Sequence, residues 1–317
     1  MKAAACVGVA LLAAWPSTQA SAQADPDTVT NVYHLGPLVI HGRADGLNLE
    51  GFMQQVQEDT SFLKAFLHMR YWPHVVESQL SVRNKGEQET AVLYRRGRLL
   101  RSGERAELRV DSTSESGRLR NRKGEMRYLT AELYEDLFWP TGSWPADHSI
   151  ATYQSGRPSG GRIEKYKEEL KKFMFNPGQE IASVPFIGGK LALFDPEMLP
   201  YYDFGIGQAH RNGYPCWEFT AMAKDSVEGK RASAGATVIK SMRTWFDQRT
   251  MQVIAREYRI AHASVLLDFD IRIRVDNTVV GGALVPVLVH YDGDWNIPLR
   301  KRELVRFWLR MGEWEVE

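Results

Sequence analysis

The sequence predicts an α+β fold dominated by strands, in which a strongly curled antiparallel sheet forms an open half-barrel covered by a few helices. From residue 214 onward, apolar and polar residues alternate with a period of two through successive segments, which is typical of half-buried strands. The connections between these segments are short, which favours antiparallel neighbours. Helical spacing of apolar residues occurs near 49–70 and 162–174, so we expect helices there to cover the curled sheet.

Residues 1–22 have the layout of a cleaved secretory signal. Lys2 supplies a positive charge, the apolar run Ala3–Trp15 is too short to span a bilayer, and Ala20-Ser21-Ala22 offers small residues for cleavage. The alternative is an ordinary buried N-terminal helix. We therefore expect residues 23–317 to form a single curled-sheet domain that is periplasmic or secreted and has no transmembrane segment.

Composition narrows the class of function. The 40 Lys and Arg residues include Lys2, so the mature chain balances 39 basic against 39 acidic residues. A neutral chain is poorly suited to nucleic acid. Cys6 leaves with the signal and Cys216 remains alone, so no intrachain disulfide can form and the core must hold the fold. A buried apolar role is favoured for Cys216 over a nucleophile.

The N-terminal half of the mature chain alternates between helical and strand patterns. The stripe at 49–70 is expected to be two helices, because Asp59-Thr60-Ser61 offers capping side chains for a restart. A hairpin is expected around Asn84-Lys85-Gly86. The apolar run 38–40 is a strand or a tether, and the Pro- and Gly-rich stretch 177–213 holds a short helix signal at Asp195-Pro196.

Residues 292–303 look at first like a calcium loop. Asp292, Asp294, Asn296 and Glu303 occupy positions of an EF-hand register, but Ile297 replaces the glycine that the loop requires. A strand-end turn is the preferred interpretation. The eight His residues show no zinc-ligand spacing. We therefore expect no metal and no cofactor.

No motif predicts catalysis, and we expect no enzymatic activity. Gly205-Ile206-Gly207 lacks the third glycine of a nucleotide loop. Asp268 and Asp270 share one strand face and could form a carboxylate pair, but Arg272 and Arg274 continue that face, which favours a solvated charged surface. A hydrolase with a site assembled from distant strands is the remaining enzymatic alternative.

The segment 95–127 is rich in arginine, with eleven Arg and Lys against five Asp and Glu. A solvated long hairpin is the simpler interpretation. The alternative is a contact surface for an envelope protein or for anionic lipid, with Arg118, Arg120 and Arg122 as the partner-binding residues.

Aromatic side chains are concentrated in connections rich in Pro and Gly, which is unusual for loops. They either plug the open end of the sheet or line a pocket for an apolar ligand. The candidate ligand-binding residues are Trp139, Trp144, Phe186, Phe194, Tyr201 and Tyr202.

The C-terminal part, 214–317, resembles the periplasmic lipoprotein-carrier superfamily of LolA/LolB-like, outer-membrane lipoprotein-sorting proteins. The resemblance lies in the turn Trp245-Phe246-Asp247-Gln248-Arg249-Thr250, which follows a W-x-D-x-x-T pattern. It also lies in Gly282-Ala283-Leu284-Val285-Pro286, a G-x-x-x-P pattern leading to Tyr291-Asp292-Gly293-Asp294-Trp295. The resemblance implies an open half-barrel, closed by helices, that binds acyl chains inside. It assigns no individual functional residue.

These observations give an expected function and two rivals. We expect an exported periplasmic protein that binds or carries an apolar or acylated, lipid-bearing ligand in the cell envelope. The first rival is a non-catalytic interaction module of the envelope that uses the segment 95–127. The second is the hydrolase with a dispersed site.

Overall fold

The computed structural model describes residues 31–35, 49–150, 177–178, 189–227, 229–233, 235–264, 268–296 and 302–316. The expected signal at 1–22, the expected helix at 162–174, the run 38–40 and Phe186 lie outside these ranges. The described helices are α1 (Leu49–Glu58), α2 (Ser61–His68) and α3 (Leu129–Phe138), with short 3-10 turns at Gly189–Leu191 and Leu199–Tyr201.

Strands account for most of the described chain. They are β1 (Asn31–Leu35), β2 (His74–Arg83), β3 (Glu89–Ser102), β4 (Arg105–Gly117), β5 (Ser143–Pro145), β6 (Tyr202–Arg211), β7 (Tyr214–Ala223), β8 (Ser226–Val227), β9 (Lys230–Arg231), β10 (Ile239–Asp247), β11 (Val253–Ala263), β12 (Asp268–Val280), β13 (Ala283–Asn296) and β14 (Glu303–Gly312). The β-dominated α+β class, with a large antiparallel sheet and few helices, is confirmed.

Twelve strands form one sheet in the order β1-β6-β7-β10-β11-β12-β13-β14-β2-β3-β4-β5, and β8 pairs with β9 separately. Every pairing in the large sheet is antiparallel. β14 lies beside β2, so the C-terminal strand joins the β2–β5 meander to the β6–β13 meander. The sheet is open, because β1 and β5 form its two ends.

Apolar side chains on one face of the sheet, which we call the first face, form a single large cluster with the helices. Phe307 and Tyr291 alternate with outward polar residues along β14 and β13, and Ile271 does so along β12. α3 packs here: the Tyr134 ring stacks on Phe307 with ring centroids 4.3 Å apart. This burial is the main source of stability for a chain in which the described Cys216 is a free thiol.

The opposite or second face carries charged side chains and a smaller cluster of buried residues. That cluster joins Ala65 of α2 to Cys216, Trp245, Ala255 and Leu284 of the strands. Cys216 is fully buried, as expected from the sequence. α2 therefore covers the ends of several strands, and its other residues reach the first-face cluster.

Several sequence predictions are confirmed, and one is wrong. The stripe at 49–70 is two helices, with Asp59 accepting hydrogen bonds from the Ser61 amide at 3.1 Å and the Phe62 amide at 3.3 Å. The turn expected at 292–296 is instead the end of β13, paired with β12 and β14. It continues as strand because Asp292 accepts hydrogen bonds from arginine side chains rather than from turn amides.

Candidate functional site

A cleft with a volume of about 770 Å³ lies beside α2 and is lined by residues of α1 and α2 and of the turns at 250–252 and 282–284. The lining from α1 and α2 is polar and includes Gln54, Gln55, Lys64 and the carboxylates of Glu58 and Asp59. The rest of the lining combines the apolar Trp72, Met251 and Leu284 with the polar Thr250 and Gln252, and we call it the apolar wall. The cleft thus offers one polar and one apolar surface to a single ligand.

The β10–β11 turn forms part of the apolar wall, and Asp247 fixes its shape. The Asp247 carboxylate accepts hydrogen bonds from the Arg249 and Thr250 amides, both at 2.8 Å, and from the Thr250 hydroxyl at 3.2 Å. This satisfies the turn amides and lets Met251 adopt a left-handed φ of 56°. The flexible Met251 side chain is held between the core and the cleft.

The α1–α2 junction is tied to β11, which fixes the polar wall. The Ser61 hydroxyl accepts a hydrogen bond from the Val253 amide at 2.9 Å. Asp59 lies 3.9 Å from the buried guanidinium of Arg256. Burial lowers the pKa of Arg256, and Asp59 partly offsets that effect.

Two imidazoles and two aromatic rings meet where α2 leads into β2. His68 Nδ1 lies 2.7 Å from the Leu284 carbonyl oxygen. A carbonyl can only accept, so His68 carries its proton on Nδ1, which leaves Nε2 as an acceptor in the neutral ring. The His148 ring stacks on Tyr71 at 4.0 Å between centroids and lies 5.3 Å from the His68 ring.

These imidazoles are neutral near pH 7. Burial is the main cause that lowers the pKa of both His68 and His148, and the charge of Lys64 adds to it. The indole Nε1 of Trp72 and Nδ1 of His148 are buried and have no hydrogen-bond partner among the residues that the structure describes. The apolar wall therefore ends in uncharged groups with unused hydrogen-bonding capacity.

Five of the six aromatic residues predicted as ligand-binding are described by the structure, and these five fall into two groups away from the cleft. Trp139 and Trp144 follow α3: the Trp139 indole donates to the Ser78 hydroxyl at 3.0 Å, and the Trp144 indole donates to the Arg70 carbonyl at 3.1 Å. Phe194, Tyr201 and Tyr202 lie beside β6. Their role in ligand binding stays a prediction.

The aromatic group beside β6, formed by Phe194, Tyr201 and Tyr202, is closely packed. The Phe194 ring lies 6.4 Å from Phe204 and 6.0 Å from Phe219, centroid to centroid. The Tyr202 hydroxyl donates to the Ile239 carbonyl at 2.9 Å, and burial raises the pKa of Tyr202. Tyr201 is half-buried against the same cluster.

Small voids flank α3 on the first face. One, of about 20 Å³, is lined by residues that include Leu137 and Trp144, and the other, of about 10 Å³, by residues that include Tyr134 and Trp139. Such voids have room for about one water molecule. The Tyr134 hydroxyl is buried and has no partner in the described part of the chain. An acyl chain would fit there only if α3 moved.

The three arginines predicted as partner-binding differ in their surroundings. Arg118 and Arg122 are exposed. Arg120 is engaged within the chain, with Glu115 at 3.0 Å, Glu135 at 3.5 Å and the Gly124 carbonyl at 2.9 Å. The rest of the segment 95–127 is largely the long β3–β4 hairpin, and its role in partner binding stays a prediction.

The acidic candidates are engaged with arginine. Asp270 accepts two hydrogen bonds from Arg259, at 2.9 and 2.6 Å, and this contact is the main cause that lowers the pKa of Asp270. Asp292 and Asp294 bind Arg306 and Arg302, respectively. Within the described ranges, no group of three or more His, Cys, Asp or Glu residues could hold a metal ion.

Sequence reasoning missed the residues that line the cleft. Trp72, His68 and Leu284 come from segments far apart in the chain, and no spacing rule joins them. Two local signals were present, the turn at 247–250 and the segment 282–286, but neither was interpreted as the wall of a cleft. No helix among the described residues combines the length and apolar character needed to cross a bilayer.

No protein-family model matches the sequence, and no curated protein matches it. One structural neighbour is a DUF1329 family protein from Desulfovibrio piger ATCC 29098, with 10% identity, a TM-score of 0.23, and coverage of 81% of this chain and 92% of that chain. Another is a Vibrio parahaemolyticus domain named for outer membrane lipoprotein sorting, with 8% identity, a TM-score of 0.25, and coverage of 80% and 90%.

The name of the second neighbour is also that of the superfamily that the sequence resembles. TM-scores this low do not establish a shared fold. The arrangement of the sheet and of the cleft therefore rests on this chain's own structure.

Proposed function

We propose that this protein is an exported envelope protein that binds an apolar or lipid-bearing ligand, and that the cleft beside α2 receives it. The cleft of about 770 Å³, with one polar and one apolar wall, is the observation that carries the proposal. Ligand sites for small molecules commonly span about 300–1,000 Å³ and combine apolar walls with a few polar groups.

The two walls suit two different parts of one ligand, an apolar chain and a polar head group. Trp72, Met251 and Leu284 accommodate the apolar chain, since removing apolar surface from water is favourable. Gln54, Gln55 and Lys64 line the helix side together with the carboxylates of Glu58 and Asp59. The amides suit an uncharged head group, and Lys64 supplies the cation that an anionic head group would approach. The neutral state of His68 favours this division, because a charged imidazole beside an acyl chain would be costly to desolvate.

We also propose that the sheet curls around the first-face cluster as an open half-barrel. Its width supports this, because a twisted sheet of twelve strands curls more readily than it stays flat. The continuity of the apolar cluster from β6 to β3 also supports it, since a curled sheet brings such a surface together.

We propose that the protein binds its ligand without chemical conversion. Within the described residues, the hydrogen bonds of His68 and His74 go to the backbone carbonyls of Leu284 and Trp72. A nucleophilic or acid–base site would instead pair an imidazole with a hydroxyl, a thiol or a carboxylate. The signal-like layout of residues 1–22 supports export to the periplasm.

Binding of cis-parinaric acid, a fluorescent fatty acid, to residues 23–317 tests the cleft. Ala283→Trp places a large ring on a lining position, and we expect it to weaken binding at least about tenfold, or about 1.4 kcal/mol. Met222→Trp, at an exposed position on β7 away from the cleft, is the matched control and should bind like the wild type.

Mass spectrometry of natively purified protein provides an independent readout. We expect a co-purifying apolar molecule in the wild type and less of it in Ala283→Trp. Absence of binding in the wild type, or equal binding by both tryptophan variants, contradicts a ligand site in the cleft.

A further inference from the structure

Four exposed arginines lie close together on the second face of β14, β2, β3 and β4. Arg310 and Arg96 lie in one cross-strand row, on either side of Glu77 of β2. Arg98 and Arg109 are paired directly in the next row. We call this surface, with Tyr94 and Trp308, the arginine face.

Elsewhere on the second face, several arginines pair with neighbouring carboxylates, although Arg272 forms no ion pair with a described residue. Arg274 lies 2.8 Å from Asp276, Arg259 lies 2.6 Å from Asp270, and Arg306 lies 3.0 Å from Asp292. The first pair lies within β12, and the other two join neighbouring strands and stabilise the sheet locally. They show that the chain can supply acidic partners on this face.

The arginine face differs from its surroundings because its charge is largely unmatched. Arg96, Arg98 and Arg310 form no ion pair with any residue that the structure describes. Arg109 has only the exposed Asp111, at 3.6 Å. Glu77, the acidic residue between Arg310 and Arg96, accepts a hydrogen bond from the Tyr94 hydroxyl. Unpaired arginines held in fixed register are available to an external anion.

Two amphipathic aromatic residues lie among these charges. Trp308 and Tyr94 are half-buried and flank Gln79 in a single cross-strand row. The Arg310 guanidinium lies 4.9 Å from the centroid of the Trp308 ring. Tryptophan and tyrosine with neighbouring arginine are typical of surfaces at the boundary between lipid and water.

The remaining neighbours add hydroxyl groups to the arginine face. Ser112, Ser114 and Ser116 of β4 are exposed and lie opposite Arg96, Tyr94 and Val92. None of the arginine-face residues lines the cleft or either of the two voids beside α3. Cations and hydroxyl groups spread over four neighbouring strands match an extended layer of phosphates better than one small anion in a pocket.

We propose that the arginine face docks the protein onto the phosphate-bearing surface of an anionic lipid bilayer. The arginines supply the attraction, the serine hydroxyls donate to phosphate oxygens, and Trp308 and Tyr94 lie at the head-group level. Each basic residue near such a surface contributes about 1 kcal/mol. The surface is separate from the cleft, so docking and ligand binding can be tested independently.

Vesicle flotation with residues 23–317 tests the docking. We expect binding to vesicles of equal parts phosphatidylglycerol and phosphatidylcholine, no binding to pure phosphatidylcholine, and release as sodium chloride is raised. The triple variant Arg96→Glu, Arg98→Glu, Arg310→Glu should bind at least about a hundredfold more weakly, because three contributions of about 1 kcal/mol are lost.

The control variant Lys230→Glu, Arg231→Glu, Arg249→Glu changes the net charge equally at exposed positions elsewhere and should bind like the wild type. Equal loss in both triple variants would mean that net charge alone attracts the protein, and would overturn the proposal. Binding to polyglutamate but not to the vesicles would also overturn it, in favour of an acidic protein partner. Ala283→Trp should leave flotation unchanged, so failure of the cleft and failure of the arginine face are distinguishable.

Discussion

The Arg211 guanidinium lies 3.2 Å from the Asp276 carboxylate, although three strands of the sheet separate β6 from β12. At about 4.8 Å per strand, four spacings in a flat sheet measure about 19 Å, beyond the reach of an arginine side chain. The tip of the β6–β7 hairpin therefore folds over the second face. Arg211 also lies 4.4 Å from the centroid of the Trp245 ring of β10. The Arg211 side chain therefore passes over β10 in contact with an aromatic ring.

We predict that this buried pair contributes much more to stability than an exposed pair with closer contacts. The side chains of Arg211 and Asp276 are 6% and 5% exposed, and Arg274 also contacts Asp276. Asp276→Asn should lower the free energy of unfolding by about 3 kcal/mol, because it leaves a buried guanidinium uncompensated. Urea unfolding measures the change.

The matched control for that prediction is Asp270→Asn. Asp270 and Arg259 lie only 2.6 Å apart, but each side chain is 42% exposed. Exposed pairs contribute about 0–1 kcal/mol. Similar losses in the two variants would show that contact distance, and not burial, sets the contribution.

Replacing Gly293 with any residue that has a side chain is predicted to lower the stability of the fold, because the Tyr291 ring occupies the space that a Cβ atom would take. A Cβ atom at residue 293 would lie 2.1 Å from the Tyr291 hydroxyl oxygen and 2.3 Å from Cζ. The hydroxyl also accepts a hydrogen bond from the Trp295 indole at 2.5 Å, so the ring cannot move freely. Gly293→Ala should lower the free energy of unfolding by about 1–3 kcal/mol.

Gly312→Ala is the control for that substitution, since no atom lies within 4 Å of the position that its Cβ would take. It should be close to neutral in the same thermal or urea unfolding measurement. A neutral Gly293→Ala would mean that Tyr291 does not pack over the glycine.

His74 is predicted to make stability depend on pH. Burial lowers the pKa of His74 to about 4, and the hydrogen bond to the Trp72 carbonyl only partly offsets this effect. The unfolded chain therefore binds this proton more readily, so stability is lost as pH falls from about 6.5 towards 4. The loss from this group is about 3 kcal/mol.

Unfolding of the wild type and of His74→Gln across that pH range checks the prediction. The difference in unfolding free energy between the two should shrink as pH falls, because the neutral imidazole is replaced by a group that does not titrate. His210→Gln, at an exposed position on β6, is the control and should follow the wild-type curve. A constant difference from the wild type at every pH would rule out titration of His74.

α3 is predicted to depend on a carboxylate far away in the sequence. Glu303 accepts hydrogen bonds from the Leu129 amide at 2.8 Å and from the Thr130 amide at 3.2 Å. Glu303→Gln removes the negative charge at the helix N-terminus and should cost about 1 kcal/mol. Hydrogen exchange should show faster opening of 129–138, whereas Glu313→Gln at an exposed position should leave exchange unchanged.

The same contact explains why α3 was not predicted from the sequence. Tyr128 precedes the helix and makes no side-chain cap, so the usual local start signal is missing. The strands after residue 214 were predicted because their period-2 pattern is local and strong. β6 was missed because Gly205 and Gly207 weaken the strand signal within a Pro- and Gly-rich stretch.

The candidate site was less predictable than the fold. The sequence predicted aromatic residues such as Trp139 and Tyr202 as ligand-binding, and in the structure their side chains are buried in close packing. The cleft is built from two helices, two turns and the residues Trp72 and His148, which are far apart in the sequence. Periodicity reports which face of an element is buried, but it does not report which distant elements leave a gap between them.

The most direct measurement of the central claim is a crystal structure of residues 23–317 with a bromine-labelled long-chain fatty acid. The account predicts an anomalous bromine peak in the cleft, within van der Waals contact of Trp72, Met251 or Leu284, with the carboxylate towards Lys64. A peak at another place on the molecule, or an empty cleft at saturating fatty acid, would contradict it.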